Sequence, residues 1–110
     1  MNHGLSDSTV ERIRGVLTHH PEVEEAILYG SRAMGTHHPG SDIDLTLRGH
    51  SLDHALLTRI EGELDDLLLP HRIDLSLIKT LTHPELPGHI RRVGVVFYQM
   101  ARVYKGSDPS

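Results

Sequence analysis

The chain has 110 residues and a formal net charge of −4, so it is long enough for one domain with one modest core and lacks the positive footprint of a nucleic-acid-binding protein. It contains no cysteine, which excludes disulfides and thiolate metal sites. No signal peptide opens it and no apolar run approaches the roughly 20 residues of a membrane span, so we expect a soluble, cytoplasmic protein that binds neither nucleic acid nor membrane.

The first predicted element is an amphipathic helix. Ser8 and Glu11 have the spacing of a capping box, with Ser8 as the N-cap residue. Pro21 ends the segment. Apolar residues recur at helical spacing between these limits, at Val10, Ile13, Val16 and Leu17.

A strand, a turn and a second strand come next. Glu22–Tyr29 carries an apolar second half and ends at Gly30. Ser31–Met34 predicts a short helical turn, and Gly35–Gly40 predicts a loop. Ile43–Leu47 alternates apolar and polar residues, which indicates a strand with one apolar and one polar face.

The second half of the chain predicts two further helix–strand pairs. Leucine and isoleucine form a helical stripe over residues 52–68, ended by Pro70. Residues 72–78 alternate again, residues 90–93 suggest a short helix, and residues 95–98 form a last apolar strand. The predicted order is therefore α-β-(α)-β-α-β-α-β, an α/β (α+β) domain over residues 1–104 with a tail over 105–110.

A Gly-Ser turn and a pair of aspartates carry the most chemical information. Gly30 and Ser31 follow an apolar strand, where free backbone N–H groups and a hydroxyl suit a phosphate. Ten residues then separate Ser31 from Asp42 and Asp44, which stand at alternate positions that point to the same face of a strand. Asp74 lies on the polar face of the next strand, so neighbouring strands would bring three carboxylates together.

Three carboxylates at one place suit Mg²⁺ or Mn²⁺, which prefer hard oxygen ligands. We expect Asp42 and Asp44 to hold an ion that carries a triphosphate and Asp74 to lie on the side of a second ion, where it can help to deprotonate an incoming hydroxyl. Arg32 can pair with a phosphate, although an outward arginine or a structural ion pair is as good an interpretation. Either motif alone is common on solvated strands, whereas both at this interval predict a nucleotidyltransferase site.

These residues resemble the DNA polymerase β-like nucleotidyltransferase superfamily, and within it the minimal nucleotidyltransferases (MNT proteins) paired with HEPN-domain proteins in prokaryotic toxin–antitoxin systems. The similar segments cover nearly the whole chain and include residues 28–33, 41–45, 73–75 and 95–98. Many relatives carry a basic residue where this chain has Met34, which leaves one phosphate or partner contact open.

The resemblance implies a mixed central sheet flanked by helices, two Mg²⁺ ions and ATP as the donor. It also implies transfer of AMP, singly or as a short chain, to a tyrosine hydroxyl of a HEPN ribonuclease toxin that is silenced by the modification. The chain has no room for the extra helical domain of larger relatives and few aromatic residues to stack a base, so we expect a partner to complete the nucleotide pocket.

Two other functions fit the same sequence. A non-catalytic antitoxin could neutralise its partner by covering the toxin's active site, although binding alone does not need three aspartates. A small-molecule nucleotidyltransferase could modify a cationic, aminoglycoside-like substrate, because an acidic protein attracts cations. Against this, we expect no second domain that could form the substrate cleft.

Overall fold

The structure is a computed structural model that describes residues 3–38, 40–80 and 86–100. The order of its elements agrees with the predicted one. The elements are α1 (Asp7–Thr18), β1 (Glu25–Tyr29), α2 (Ser31–Met34), β2 (Ile43–Arg48), α3 (His54–Asp65), β3 (Ile73–Leu77), a 3₁₀ turn (Ile78–Thr80), α4 (Leu86–Val93) and β4 (Val95–Gln99). The predicted tail over 105–110 lies outside the described residues.

The four strands form one mixed sheet in the order β3-β2-β1-β4. Strand β1 pairs antiparallel with β2 and with β4, whereas β2 pairs parallel with β3. This confirms the predicted mixed sheet flanked by helices. Of the described helices, none combines the length and the apolar character that crossing a bilayer would require.

The start of α1 differs from the prediction, because Ser6 rather than Ser8 is the N-cap. The Ser6 hydroxyl accepts a hydrogen bond from the Thr9 N–H at 3.1 Å. Two serines of equal capping ability compete here, and the hydrophobic contacts decide between them. With Ser6 as the cap, Leu5 before it and Val10 in the first turn are both buried in the core, as in a hydrophobic staple.

The other boundaries differ from the prediction by a few residues. Strand β1 begins at Glu25 rather than at residue 22, and α3 spans 54–65 rather than the whole stripe over 52–68. The Asp53 side chain fixes the start of α3 by accepting a hydrogen bond from the Leu56 N–H at 2.9 Å. A favourable cap therefore sets the helix boundary inside the longer apolar pattern.

The core lies between one face of the sheet and helices α1 and α3. Leu45 of β2 lies opposite Leu28 of β1 and Leu75 of β3, so the three leucines form a row across the sheet. These leucines belong to a single buried cluster that also contains Ile13 of α1 and Ile60 of α3.

The opposite face of the sheet carries polar groups, because successive residues of a strand point to opposite faces. Next to the leucine row, Asp44 lies opposite Tyr29 and Asp74. Helix α4 covers the β1 side of this face: an ideal Cβ built on Gly94, just after the helix, would lie 2.8 Å from Cγ2 of Ile27. The alternation of residues thus separates a packed face from a polar one.

Replacing Leu45 with alanine tests the central position of this leucine row. Leu45 is fully buried, so Leu45→Ala should lower the free energy of unfolding by about 2–5 kcal/mol in urea denaturation. Leu68, which is 87% exposed, provides the control, and Leu68→Ala should change stability by less than about 0.5 kcal/mol. Equal effects of the two substitutions would contradict the described core.

Candidate active site

The three predicted aspartates lie near one another at one end of the polar sheet face. Asp44 of β2 and Asp74 of β3 are direct partners in the parallel register. Asp42 directly precedes β2, and its charge acts on the Asp44 carboxyl. The structure therefore places in one region three aspartates that the sequence separates by as much as 32 positions.

Like charges dominate this corner of the molecule. Burial raises the pKa of the Asp44 carboxyl above its ordinary value, and the charges of Asp74 and then Asp42 raise it further. Within the described residues, no lysine, arginine or histidine forms an ion pair with any of the three. The site therefore holds negative charge that a bound cation would neutralise.

The donor set fits a hard divalent cation. Among the residues that the structure describes, no group of three or more histidine, cysteine or acidic side chains is already gathered as a metal cluster. The ligand type is nevertheless the one that Mg²⁺ and Mn²⁺ prefer, and the repulsion that raises the Asp44 pKa is relieved when a cation binds. Asp42, Asp44 and Asp74 are the residues that would hold it.

Gly30 lies directly against the Asp44 carboxylate. It is the N-cap residue of α2 and has φ 78° and ψ −154°, a region of backbone space that is essentially restricted to glycine. An ideal Cβ built on it would overlap Oδ2 of Asp44. The backbone conformation therefore requires glycine, and a side chain here would also displace the Asp44 carboxylate.

Ser31 is the first residue of α2, next to this contact. Its carbonyl oxygen accepts hydrogen bonds from the N–H groups of Gly35 and Thr36. In the described part of the chain, the Ser31 hydroxyl has no hydrogen-bond partner. The hydroxyl and the N–H groups at the start of α2 are therefore available to an anion beside the aspartates.

Arg32 points into the protein instead of toward solvent. Its side chain is 1% exposed. The guanidinium donates from Nε and Nη2 to the carbonyl oxygen of Ser41 at 3.2 and 2.9 Å, and from Nη1 to the carbonyl oxygen of His3 at 2.9 Å. Arg32 therefore links α2 to the residue before Asp42 and acts as a positioning residue. Of the interpretations that the sequence allowed, the structural one is nearest to this arrangement, although the partners are carbonyl oxygens.

The charge of Arg32 also acts on a neighbouring histidine. His71 lies with Nδ1 at 3.3 Å from Nη2 of Arg32. Burial lowers the pKa of His71, and the positive charge of Arg32 lowers it further. Both effects favour the neutral imidazole, whose Nδ1 accepts the hydrogen bond from Arg32.

Tyr29 contacts the site region, although the sequence analysis gave it no role there. It is buried and lies on the aspartate face, opposite Asp44. Burial raises the pKa of the Tyr29 hydroxyl; interaction with the Ser76 side chain opposes this change, while the charges of Asp44 and Asp74 add to it. Alternation of side chains along β1 and β2 places Tyr29 on the face of Asp44, but only once the pairing of the two strands is known.

His89 of α4 is the second residue that the sequence did not reveal. The Gly30 N–H donates a hydrogen bond to its Nε2 at 3.2 Å, and its ring meets the Tyr29 ring edge-on with centroids 6.4 Å apart. A separation of 59 residues and the lack of a local motif hide this contact from sequence analysis.

The aspartate corner is an open surface, since Asp42 and Asp74 are exposed. Two cavities of about 310 and 520 Å³ in the described structure lie elsewhere, one beside Arg48 and Lys79 and the other beside Leu64 and His71. None of the three aspartates lines either cavity. These two cavities are therefore separate from the aspartate corner.

Replacing Gly30 with alanine should cost more stability than the same change at Gly35. Gly35 also has positive φ, at 77°, but no atom lies within 4 Å of its ideal Cβ, so Gly35→Ala should cost about 1 kcal/mol. Gly30→Ala should cost at least about 2 kcal/mol, because it adds the overlap with Asp44. Urea denaturation of both variants measures the difference.

The same comparison in an Asp44→Ala background isolates the carboxylate. Removal of the carboxylate should reduce the penalty of Gly30→Ala and leave that of Gly35→Ala unchanged. An unchanged Gly30 penalty would show that the close approach to Asp44 is not what requires glycine.

Neutralising Asp44 should stabilise the fold at pH 7. The raised pKa of Asp44 means that the folded state favours the protonated form, so stability is lost as pH rises through the folded-state pKa. Asp44→Asn removes this loss and should stabilise by about 0.5 kcal/mol, a rise of a few degrees in Tm. The difference should vanish in acid, where Asp44 is protonated in both states.

Asp74→Asn provides the matching arm of a double-mutant cycle. Each substitution removes the same repulsion, so the double variant should gain less than the sum of the two single ones. Additive gains, or a destabilised Asp44→Asn protein at pH 7, would contradict the electrostatic description of this corner.

Comparison with known structures supports the architecture. The chain superposes on a chain of a crystal structure of a toxin–antitoxin with AMP-PNP, with a TM-score of 0.65, 20% identity and coverage of 89% of this chain and 77% of that one. It also superposes on a chain of the tri-AMPylated Shewanella oneidensis HEPN toxin in complex with MNT antitoxin, with a TM-score of 0.64, 17% identity and coverage of 87% and 74%.

A third similar structure is the toxin–antitoxin MntA–HepT, with a TM-score of 0.63, 18% identity and coverage of 86% and 74%. At these identities the likeness concerns the fold. No protein of curated function matches the sequence significantly.

The family assignment comes from the sequence itself. The family model described as "Polymerase beta, Nucleotidyltransferase" matches residues 11–102, which include the whole aspartate corner and the Gly-Ser turn. The chain therefore belongs to the polymerase β nucleotidyltransferase family.

Proposed function

We propose that this chain is an MNT-type antitoxin, a Mg²⁺-dependent enzyme that transfers AMP from ATP to a tyrosine hydroxyl of a HEPN ribonuclease toxin and thereby neutralises it. The proposal extends to a prokaryotic cytoplasmic protein with its nucleotidyltransferase domain over residues 1–104. ATP and the toxin are the proposed partners, and nucleic acid is not.

One observation carries the proposal: Asp44 and Asp74 lie opposite each other at the end of the sheet, with the charge of Asp42 acting on Asp44 and the Gly30 backbone against Asp44. Carboxylates placed this way are destabilising for a fold unless they bind a cation. The adjacent Gly-Ser turn offers donors for a phosphate at the same point, which matches the needs of a metal–triphosphate complex.

Each residue then has a role in the transfer. Asp42 and Asp44 would hold the ion that binds the triphosphate, and Asp74 would lie nearest the incoming hydroxyl and accept its proton. Gly30 and Ser31 would bind the terminal phosphates, and Arg32 would support them indirectly by fixing the segment before Asp42. The bound ions would supply neutralisation of phosphate charge in an in-line displacement.

The bonds of the proposed reaction balance simply. The tyrosine oxygen of the toxin forms a bond to the α-phosphorus of ATP, and the bond from that phosphorus to the diphosphate oxygen breaks. The hydroxyl proton passes to Asp74, and diphosphate leaves. Negative charge develops on the attacking and leaving oxygens in this step, so positioning the reactants and stabilising that charge are the main tasks of the protein.

A protein partner is supported by two features of different kinds. The similar structures are toxin–antitoxin complexes, one of which contains a tri-AMPylated HEPN toxin. In addition, Asp42 and Asp74 are exposed beside the half-buried Asp44, which suits an acceptor that is delivered by another folded chain. A small-molecule acceptor would instead favour an enclosed cleft.

Transfer of label from ATP tests the proposed activity. The chain is purified together with its partner from the native host and incubated with α-labelled ATP and MgCl₂. Label should appear on the partner, and Asp42→Asn or Asp44→Asn should reduce labelling by at least about 100-fold, because each removes a metal ligand. EDTA should abolish it.

Asp65→Asn is the matched control, since Asp65 is an exposed aspartate of α3 outside the site, and it should label normally. Labelling that persists in both site variants would overturn the metal assignment. Unlabelled partner that is still neutralised by the Asp42→Asn/Asp44→Asn double variant would favour the non-catalytic antitoxin.

A further inference from the structure

His89 joins helix α4 to the phosphate-binding turn. The Gly30 N–H donates to Nε2 of His89 at 3.2 Å. The same imidazole meets the ring of Tyr29 edge-on, at an interplanar angle of 80°. The His89 side chain is partly buried. It contacts both Tyr29, the last residue of β1, and Gly30, the first residue of the turn.

This hydrogen bond fixes the chemical form of the ring. Because the amide is the donor, Nε2 must be an unprotonated acceptor, and in the neutral imidazole the proton is then on Nδ1. The ring therefore presents a lone pair at the place where the Gly30 N–H would otherwise meet an oxygen of a phosphate. Two acceptors cannot both take this amide in good geometry.

Helix α4 is not free to leave as a body. Gly94, directly after it, packs so closely on β1 that an added Cβ would lie 2.8 Å from Cγ2 of Ile27. Strand β4 begins at the next residue, Val95, and pairs with β1, which anchors the end of the helix. Rotation of the His89 side chain about its own bonds is therefore the simplest way to release the Gly30 amide.

We propose that His89 is an internal competitor of the nucleotide: its imidazole accepts the hydrogen bond from the Gly30 N–H, and a phosphate oxygen of the triphosphate must displace it. This inference rests on the proposed function, which assigns that amide to phosphate. The inference gives a residue of α4 a role at the site: His89 contacts the Gly30 N–H when no phosphate does, and this competition weakens the binding of nucleotide.

Calorimetry with a non-reactive nucleotide tests the competition. The full chain is titrated with α,β-methylene-ATP in MgCl₂, and His89→Ala and His89→Phe are compared with the unmodified protein. Both variants lack the acceptor, while phenylalanine keeps a ring against Tyr29. Each should bind the nucleotide about two- to tenfold more tightly, the range expected for one competing hydrogen bond.

His54→Ala is the matched control, because His54 is exposed at the first position of α3 and lies outside the site. Its affinity should equal that of the unmodified chain. The Gly30 amide resonance gives a second readout: its chemical shift should change on His89→Phe without nucleotide, and again when nucleotide is added to the unmodified protein.

The outcomes separate this inference from the function on which it rests. Nucleotide binding by the unmodified chain with no gain, or with a loss, in both His89 variants would overturn the competition alone. No binding by any of the proteins up to millimolar nucleotide would overturn the proposed ATP site, and the inference with it.

Discussion

The parallel register of β2 and β3 is the constraint on which the site depends. It places Leu45 opposite Leu75 and, one residue earlier, Asp44 opposite Asp74. A shift of one residue would exchange the two faces of the strand. It would bury carboxylates and expose leucines, and the lost burial of apolar surface makes that register unfavourable. The packing of the leucine row is therefore what holds two like charges side by side.

The same corner combines several features that destabilise a fold. Carboxylates face each other without a basic partner among the described residues, and Gly30 has a backbone conformation that other residues avoid. A core of fully buried residues on the other face offsets these costs. Concentration of strain and uncompensated charge in one place is typical of sites that are organised for a ligand.

Much of this arrangement was predictable from local patterns. Alternation of apolar and polar residues located β2 and β3 and assigned Asp44 and Asp74 to polar faces, and helical periodicity located α1 and α3. Element ends were less predictable: Ser6 and Ser8 are equal as local caps, and only the burial of Leu5 and Val10 selects Ser6. Such a choice depends on tertiary packing, which no local pattern contains.

The roles of Arg32 and His89 were hidden for a related reason. An arginine after a Gly-Ser turn looks like a phosphate ligand, but the carbonyl groups of His3 and Ser41 converge on it only in the folded chain. His89 follows no motif and reaches Gly30 because α4 returns over β1. Contacts between distant segments are set by the topology, and sequence reasoning could not identify them.

Paramagnetic broadening by Mn²⁺, recorded on backbone amides in the presence of α,β-methylene-ATP, tests the central claim most directly. Mn²⁺ takes the same oxygen ligands as Mg²⁺ and broadens only nearby resonances. The amides of Gly30, Asp44 and Asp74 should be the first to broaden. Broadening centred on the exposed histidines His50 and His54, or none in the aspartate corner at saturating nucleotide, would contradict the claim that these carboxylates and this turn form one metal–triphosphate site.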